Sequence, residues 1–151
     1  MKYKFMFSVA AFAFSSVALA AGINPILPDA SLNWQDAHQL PPGAQVAILS
    51  GDPTKAEPFV ARVKLPANYV IPPHSHPVPE YDTVLSGTLY MGTGKEVNTE
   101  KGTELPAGSF VKVPTKEVHY SWTKEETILQ INGVGPWGTH YTDKALNKKY
   151  T

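Results

Sequence analysis

The sequence predicts an all-β domain, a β-sandwich or small barrel, and three observations carry that prediction. Apolar and polar residues alternate at period two in short runs, most plainly in Phe59–Leu65 and Glu117–Thr123. The chain holds 14 prolines and 11 glycines, and they punctuate strand-like runs at a spacing of roughly 8–12 residues. No stretch beyond residue 20 keeps a helical period.

The first 20 residues are read apart from the fold. Lys2 and Lys4 give a positive start, Phe5 to Leu19 is apolar except for Ser8, Ser15 and Ser16, and Ala18-Leu19-Ala20 places small residues at cleavage positions. This is the pattern of a signal peptide, with Ala21 as the mature start. The apolar run falls short of the ~20 residues that span a bilayer, so no stable membrane insertion is expected after cleavage. The chain is therefore expected to be exported, periplasmic or secreted, in a bacterium.

Taken in order, residues 21–43 are rich in Pro, Asp and Asn and form an N-terminal arm, with room for a short edge strand near Trp34. Leu40-Pro41-Pro42-Gly43 ends the arm. Residues 44–143 hold the barrel. Ala44 to Ser50 is a short apolar run, and Gly51-Asp52-Pro53 turns. In Phe59–Leu65, Phe59, Ala61, Val63 and Leu65 share one face, as a half-buried strand requires. Thr83 to Met91 reads as strand broken at Ser86-Gly87, and Gly92 to Gly102 as a hairpin loop. Ser109–Val113, Glu117–Thr123, Thr127–Ile131 and Trp137–Thr142 complete the strands. The tail, residues 144–151, is basic and polar, either a short helix or a frayed end.

Composition narrows the function. The chain of 151 residues fits one domain. Without Lys2 and Lys4, 11 basic residues face 13 acidic ones. There is one arginine, Arg62, and no basic cluster, so nucleic acid is not an expected partner. Cysteine is absent, so any metal must be held by nitrogen and oxygen ligands.

Those ligands stand together in Asn68–Gly87, where His74, His76 and Glu80 have the spacing H-x-H-x3-E. Pro72, Pro73, Pro77 and Pro79 forbid a helix there. In an extended segment, residues two apart point the same way, so His74 and His76 share a face. On the strand Glu117–Thr123 the same alternation puts His119, Ser121 and Thr123 on one face. If that face is inward, His119 enters the same cavity as a fourth ligand. His38 reads as a solvated histidine of the arm, and His140 as structural.

These residues resemble the cupin superfamily. Its first motif, G-x5-H-x-H-x3,4-E-x6-G, falls on Asn68, His74, His76, Glu80 and Gly87. Its second, G-x5-P-x-G-x2-H-x3-N, falls on Gly108, Pro114, Lys116, His119 and Thr123. The departures are Asn68 and Lys116 in place of Gly, and Thr123 in place of Asn; none is a ligand position. The likeness runs from about Leu40 to Thr142. It implies the cupin double-stranded β-helix, a jelly-roll-like small barrel of two antiparallel sheets with a metal inside. It also implies that the loop between Met91 and Leu105 joins the motifs. Pairing into a homodimer through exposed strands is a family expectation, with residues 21–43 as the arm that swaps.

Three histidines and a carboxylate suit one divalent transition metal ion per chain, Fe, Mn, Ni, Cu, Co or Zn. Four protein ligands on a six-coordinate ion leave two positions open. The resemblance then points to a metal-dependent dioxygenase-like enzyme acting on a small organic molecule, with Glu80 as ligand or catalytic base. A non-catalytic metal or small-ligand sensor, as the cupin portion of zinc-binding anti-sigma factors resembles, is the alternative. A cupin isomerase or decarboxylase is the third reading; decarboxylation wants a further acid near the metal, and none marks itself in the sequence. Around the site, Tyr90, Gln130 and Trp137 are the candidates for a substrate pocket.

Overall fold

A computed structural model of the protein describes residues 32–150. The expected signal peptide, residues 1–20, lies outside the described residues, as do residues 21–31 of the arm and Thr151. The described strands are β1 (Gln35–Asp36), β2 (Gln45–Ser50), β3 (Pro58–Leu65), β4 (Val70–Ser75), β5 (Glu80–Ser86), β6 (Thr88–Thr93), β7 (Thr103–Pro106), β8 (Phe110–Val113), β9 (His119–Thr123), β10 (Thr127–Val134) and β11 (His140–Tyr141). A single helical segment, α1 (Lys144–Tyr150), follows them. Among the described residues no helix is long and apolar enough to cross a membrane.

The strands form two antiparallel sheets. One has the order β1-β2-β3-β10-β5-β8, the other β11-β4-β9-β6-β7. The expected all-β barrel of two sheets is thus present. The short edge strand expected near Trp34 is β1, which pairs Gln35 with Val46 and Asp36 with Gln45. β3 keeps its alternation: Phe59, Ala61, Val63 and Leu65 are all buried, and the residues between them are not.

Two expectations change. The loop expected between Met91 and Leu105 ends earlier, at β7, a strand the sequence does not announce, which pairs Met91 with Thr103 and Leu89 with Leu105. Thr-Glu-Leu-Pro is too short and polar to show alternation, and a strand containing Pro belongs at a sheet edge, where β7 lies. The last expected strand, Trp137–Thr142, shrinks to His140–Tyr141. The Trp137 N–H donates to the Pro53 carbonyl at 2.7 Å rather than to a neighbouring strand, so this stretch is a loop.

The inward faces run from apolar at one end of the barrel to polar at the other. In register across the six-stranded sheet, Leu65 lies beside Thr127, then Val63 beside Leu129 and Val84, then Ala61 beside Ile131 and Asp82. The filled end holds Leu65, Val84, Leu89, Tyr69 and Ala44. Thr123 ties it shut: its Oγ1 donates to the Pro66 carbonyl at 2.6 Å and accepts from the Tyr69 N–H at 3.2 Å. The open end is left for the site.

β9 is buried on both faces. His119 and Ser121 face inward. On the outer side Tyr120 stacks on Trp122, Trp122 on Tyr90, and the loop of residues 94–102 lies over them. The Tyr120 hydroxyl donates to the Asn98 carbonyl at 3.0 Å. A Cβ at Gly102 would stand 1.9 Å from the Trp122 ring, so only glycine lets the loop come this close.

The two motif positions that depart from glycine keep the glycine backbone. Asn68 has φ 57° and Lys116 φ 64°, both left-handed. Lys116 turns the chain so that its N–H donates to the His76 carbonyl at 2.9 Å, joining the two motifs. A left-handed non-glycine residue costs ~1–2 kcal/mol, partly offset by the greater freedom of glycine in the unfolded chain. Lys116→Gly is therefore expected to stabilise the protein by about 0.5–1 kcal/mol in denaturant titration. An unchanged or lower midpoint would show that the turn carries no strain.

Candidate metal centre

The site begins with Pro72 and Pro73. Neither has an N–H to give to β9, and the β4–β9 ladder shifts register between Ile71 and His74. The carbonyls this frees are used. Pro73 accepts from the Thr142 N–H and hydroxyl at 3.0 and 3.2 Å. Pro72 accepts from His74 Nδ1 at 2.7 Å. His74 then stands directly opposite His119 across the sheet. His76 follows the end of β4, and Glu80 opens β5 on the facing sheet.

All three imidazoles are anchored the same way. His74 Nδ1 is held by Pro72, His76 Nδ1 by the Gly138 carbonyl at 2.9 Å, and His119 Nδ1 by the Glu117 carbonyl at 3.1 Å. A carbonyl can only accept, so each Nδ1 carries a proton, and in the neutral ring each Nε2 is left as a lone pair. The rings converge, His74 and His119 being 4.2 Å apart at their centroids, and one nitrogen from each lies within 4.8 Å of the others. Trp137 stacks on the outer side of His76 at 4.2 Å and fixes that ring.

Glu80 joins the cluster through Oε2, which lies 3.3 Å from His76 Nε2 and 3.5 Å from His119 Nε2. With the tautomers set by the carbonyls, these contacts set acceptor against acceptor. His76 Nε2 is buried and has no hydrogen-bond partner. A proton on Nε2 or a metal cation between the nitrogens and the carboxylate relieves that conflict, and the three converging nitrogens with a carboxylate beside them fit a transition metal ion. Burial works to raise the Glu80 pKa, but His119 and His76, when they carry a proton on Nε2 in place of an ion, outweigh it by hydrogen bonding and charge and hold the carboxyl below its usual range. Positive charge in the site, on a proton or a metal ion, acts in this direction. His74 is lowered from 6.5 to about 3, first by burial and then by the charges of His119 and His76, so it is neutral and ready to ligate at pH 7.

These four residues are those singled out from the sequence, and the fold brings them together at the floor of a cavity of about 310 Å³. Its walls are largely apolar, and its mouth is formed by residues 35–40 of the arm, Pro53, Thr54, Trp137 and Thr139. The arm is tied there by the Tyr141 hydroxyl, which donates to the Gln39 carbonyl at 2.8 Å. His38 is exposed at this mouth, and His140 is exposed on β11.

Of the three expected pocket residues, Trp137 lines the cavity and the other two do not. Tyr90 lies between Leu89 and Met91, both of which line it, so alternation turns Tyr90 outward, onto Trp122 and under the Lys124 ammonium at 4.5 Å. Gln130 lies between Leu129 and Ile131, also lining residues, and it too faces away, beside Arg62 and Thr83.

One buried acid was missed, and it corrects the reading that no further acid accompanies the ligands. Asp82 is 2% exposed, lines the cavity, and its Oδ1 has no hydrogen-bond partner. Burial first, and then the charge and hydrogen bond of Glu80, push its pKa well above the ordinary carboxylate value. The signal was present in Glu80-Tyr81-Asp82: if Glu80 points inward on a strand, so does Asp82. Because the folded state keeps a proton that the unfolded chain releases above pH 3.8, this group lowers stability as pH rises. Asp82→Asn carries no such penalty. In the metal-free protein it is expected to be more stable than wild type by about 1 kcal/mol or more at pH 7, and the gain is expected to shrink toward pH 4. A gain that does not change with pH would contradict this.

Comparison with known proteins gives a family and a fold. The family model described as "Domain of unknown function (DUF4437)" matches residues 27–149. Among solved structures, the polyketide cyclase RemF from Streptomyces resistomycificus superposes with TM-score 0.63 at 14% identity, over 83% of this chain and 92% of that one. The DMSP lyase DddQ from Ruegeria pomeroyi gives 0.59 at 19% identity, over 75% and 62%. An RmlC-like cupin from Shewanella frigidimarina gives 0.56 at 15% identity, over 70% and 85%. At such identities the likeness is one of fold, and the fold is the cupin double-stranded β-helix. A search of curated proteins finds none that matches this chain in sequence.

Proposed function

The chain belongs to the DUF4437 family, and we propose that it is an exported mononuclear metal-dependent enzyme, oxygenase-like, acting on a small organic molecule. The observation that carries this reading is the set of three histidine Nε2 lone pairs, each fixed by an Nδ1–carbonyl bond, converging on the floor of a cavity. His74, His76 and His119 hold the ion and Glu80 completes the set. A bound divalent transition metal supplies Lewis acidity to a substrate oxygen and, where it is redox-active, electron exchange with dioxygen.

The chain's own residues do the rest. The apolar walls exclude water and hold the body of the substrate. Glu80, kept ionised, takes the proton of a phenol or enol hydroxyl and leaves the substrate as its more electron-rich anion. Export to the periplasm is supported by the pattern of residues 1–20, and assembly as a homodimer by family resemblance alone.

A second reading is favoured by Asp82. Isomerisation or decarboxylation needs a proton donor beside the metal, and a buried carboxyl next to Glu80 supplies one.

The test is turnover by protein loaded separately with Fe, Mn, Ni, Cu, Co or Zn, against a panel of phenols, enols and hydroxy acids. Uptake of oxygen, or conversion without it, is expected for at least one pairing. A tightly held metal with no turnover anywhere in the panel would replace the enzyme with a non-catalytic metal-binding or sensing protein.

A further inference from the structure

We infer that Asp82 is a substrate-recognition residue, whose Oδ1 accepts a hydrogen bond from a ligand hydroxyl standing next to the oxygen that the metal binds. This rests on the metal centre proposed above and names the class of ligand it takes. The starting point is an unmet need. Asp82 is buried and lines the cavity, yet its Oδ1 has no partner among the described residues. Buried polar atoms are normally satisfied, and one that is not, facing a ligand cavity, is an acceptor waiting for a donor.

The walls leave that need unmet: Ser121 brings a hydroxyl into the cavity from the other sheet, but it makes no hydrogen bond to Oδ1. The rest of the interior wall, Val63, Ile71, Leu89, Met91, Leu129 and Ile131, is apolar. The polar groups gather at one end, where Glu80 and Asp82 project from the same face of β5 with only Tyr81 between them. Both carboxyls line the cavity, and Glu80 is itself 3.3–3.5 Å from two of the histidine nitrogens.

An atom bound at the histidine cluster therefore has Asp82 close beside it. A ligand that uses both must carry an oxygen for the metal and a hydroxyl on the neighbouring carbon, with an apolar body for the remaining wall. That describes a small 2-hydroxy acid or a vicinal hydroxy-carbonyl compound. A cavity of about 310 Å³ is at the small end for ligand sites, which limits the body to about one ring.

The test uses mandelate and phenylacetate, which differ by one hydroxyl, bound to zinc-loaded protein and followed by calorimetry. Wild type is expected to prefer mandelate about 10-fold or more, the scale of one hydrogen bond to a buried group. Asp82→Val, similar in shape but without an acceptor, is expected to lose most of that preference. Asp82→Asn, which keeps a carbonyl oxygen, is expected to retain it within about threefold. Should Asp82→Val fail to fold, the O-methyl ether of mandelate makes the same test on wild type: it keeps the oxygen but loses the donor, and is expected to bind about 10-fold more weakly.

An equal preference in wild type and Asp82→Val, or no loss on O-methylation, overturns the inference. So does the failure of both acids to bind. Zinc content is measured on the same samples, so the two levels separate. Zinc-free wild type after loading overturns the metal centre itself, whereas full zinc with a preference indifferent to Asp82 overturns only this assignment.

Discussion

Glu80→Gln is expected to lower turnover about 10²- to 10⁴-fold, the usual contribution of a positioned base, while the protein keeps most of its metal. The substitution preserves shape and removes charge. Glu80 is 5% exposed, and its Oε2 faces the nitrogens of His76 and His119. It is ionised at neutral pH because those neighbours overcome the cost of burying it. Glutamine offers the same site a neutral carbonyl oxygen, a weaker ligand and no base. Three histidines remain, and they suffice to hold an ion in many sites of this composition.

The two roles open to Glu80 separate in the kinetics, with the best substrate found in the panel. Loss of kcat at full metal content identifies a base. A fall in metal content parallel to the fall in rate identifies a ligand first. Unchanged turnover would remove Glu80 from the mechanism.

Chelation is expected to have the largest effect on stability. An ion that binds only the folded chain adds roughly 4 kcal/mol at a thousandfold excess over its dissociation constant. In a domain of this size that is a fall in melting temperature of about 10 °C or more when the metal is stripped. The metal-free protein should also respond to pH in a direction set by His74. Its folded pKa of about 3 lies below its ordinary value of 6.5. Between those values the unfolded chain binds a proton that the folded chain does not, so stability rises with pH through the window and is lost as pH falls from 6.5 toward 3. Asp82 acts in the opposite sense, so Asp82→Asn is the background in which the His74 slope is cleanest. A melting temperature indifferent to chelator would mean that the fold stands without the ion, or never held one.

Much of this was legible in the chain because the signals were local. The alternation of Phe59–Leu65 predicted β3 and its buried face. H-x-H-x3-E on a proline-rich segment predicted which side chains gather, and alternation in β9 predicted that His119 joins them. What the sequence hid was decided by context across strands. Tyr90 reads as a pocket residue because it is an aromatic near the ligands, and Gln130 because it is the polar residue of an apolar run. Their immediate neighbours, Leu89, Met91, Leu129 and Ile131, already marked the inward face of both strands. Asp82 does not mark itself in the sequence although it shares the face of Glu80, since only the sheet opposite buries it. β7 needed the pairing with β6 to exist at all. The anchoring of His76 needed the 135–139 loop, which lies 62 residues further on at Gly138.

The departures at Asn68 and Lys116 show how backbone can outlast side chain. Both positions keep a left-handed conformation that suits glycine, and the Lys116 N–H still closes the turn onto His76. The ligands are held by carbonyls of Pro72, Glu117 and Gly138, which any residue can supply provided the chain follows this path.

Elemental analysis of the protein recovered from its native host, beside His74→Ala and His119→Ala variants, tests the central claim most directly. About one transition metal ion per chain is expected in wild type, and a large loss in both variants. Metal content that is the same in all three proteins, or absent from wild type, would contradict the assignment of His74, His76, Glu80 and His119 as a metal centre.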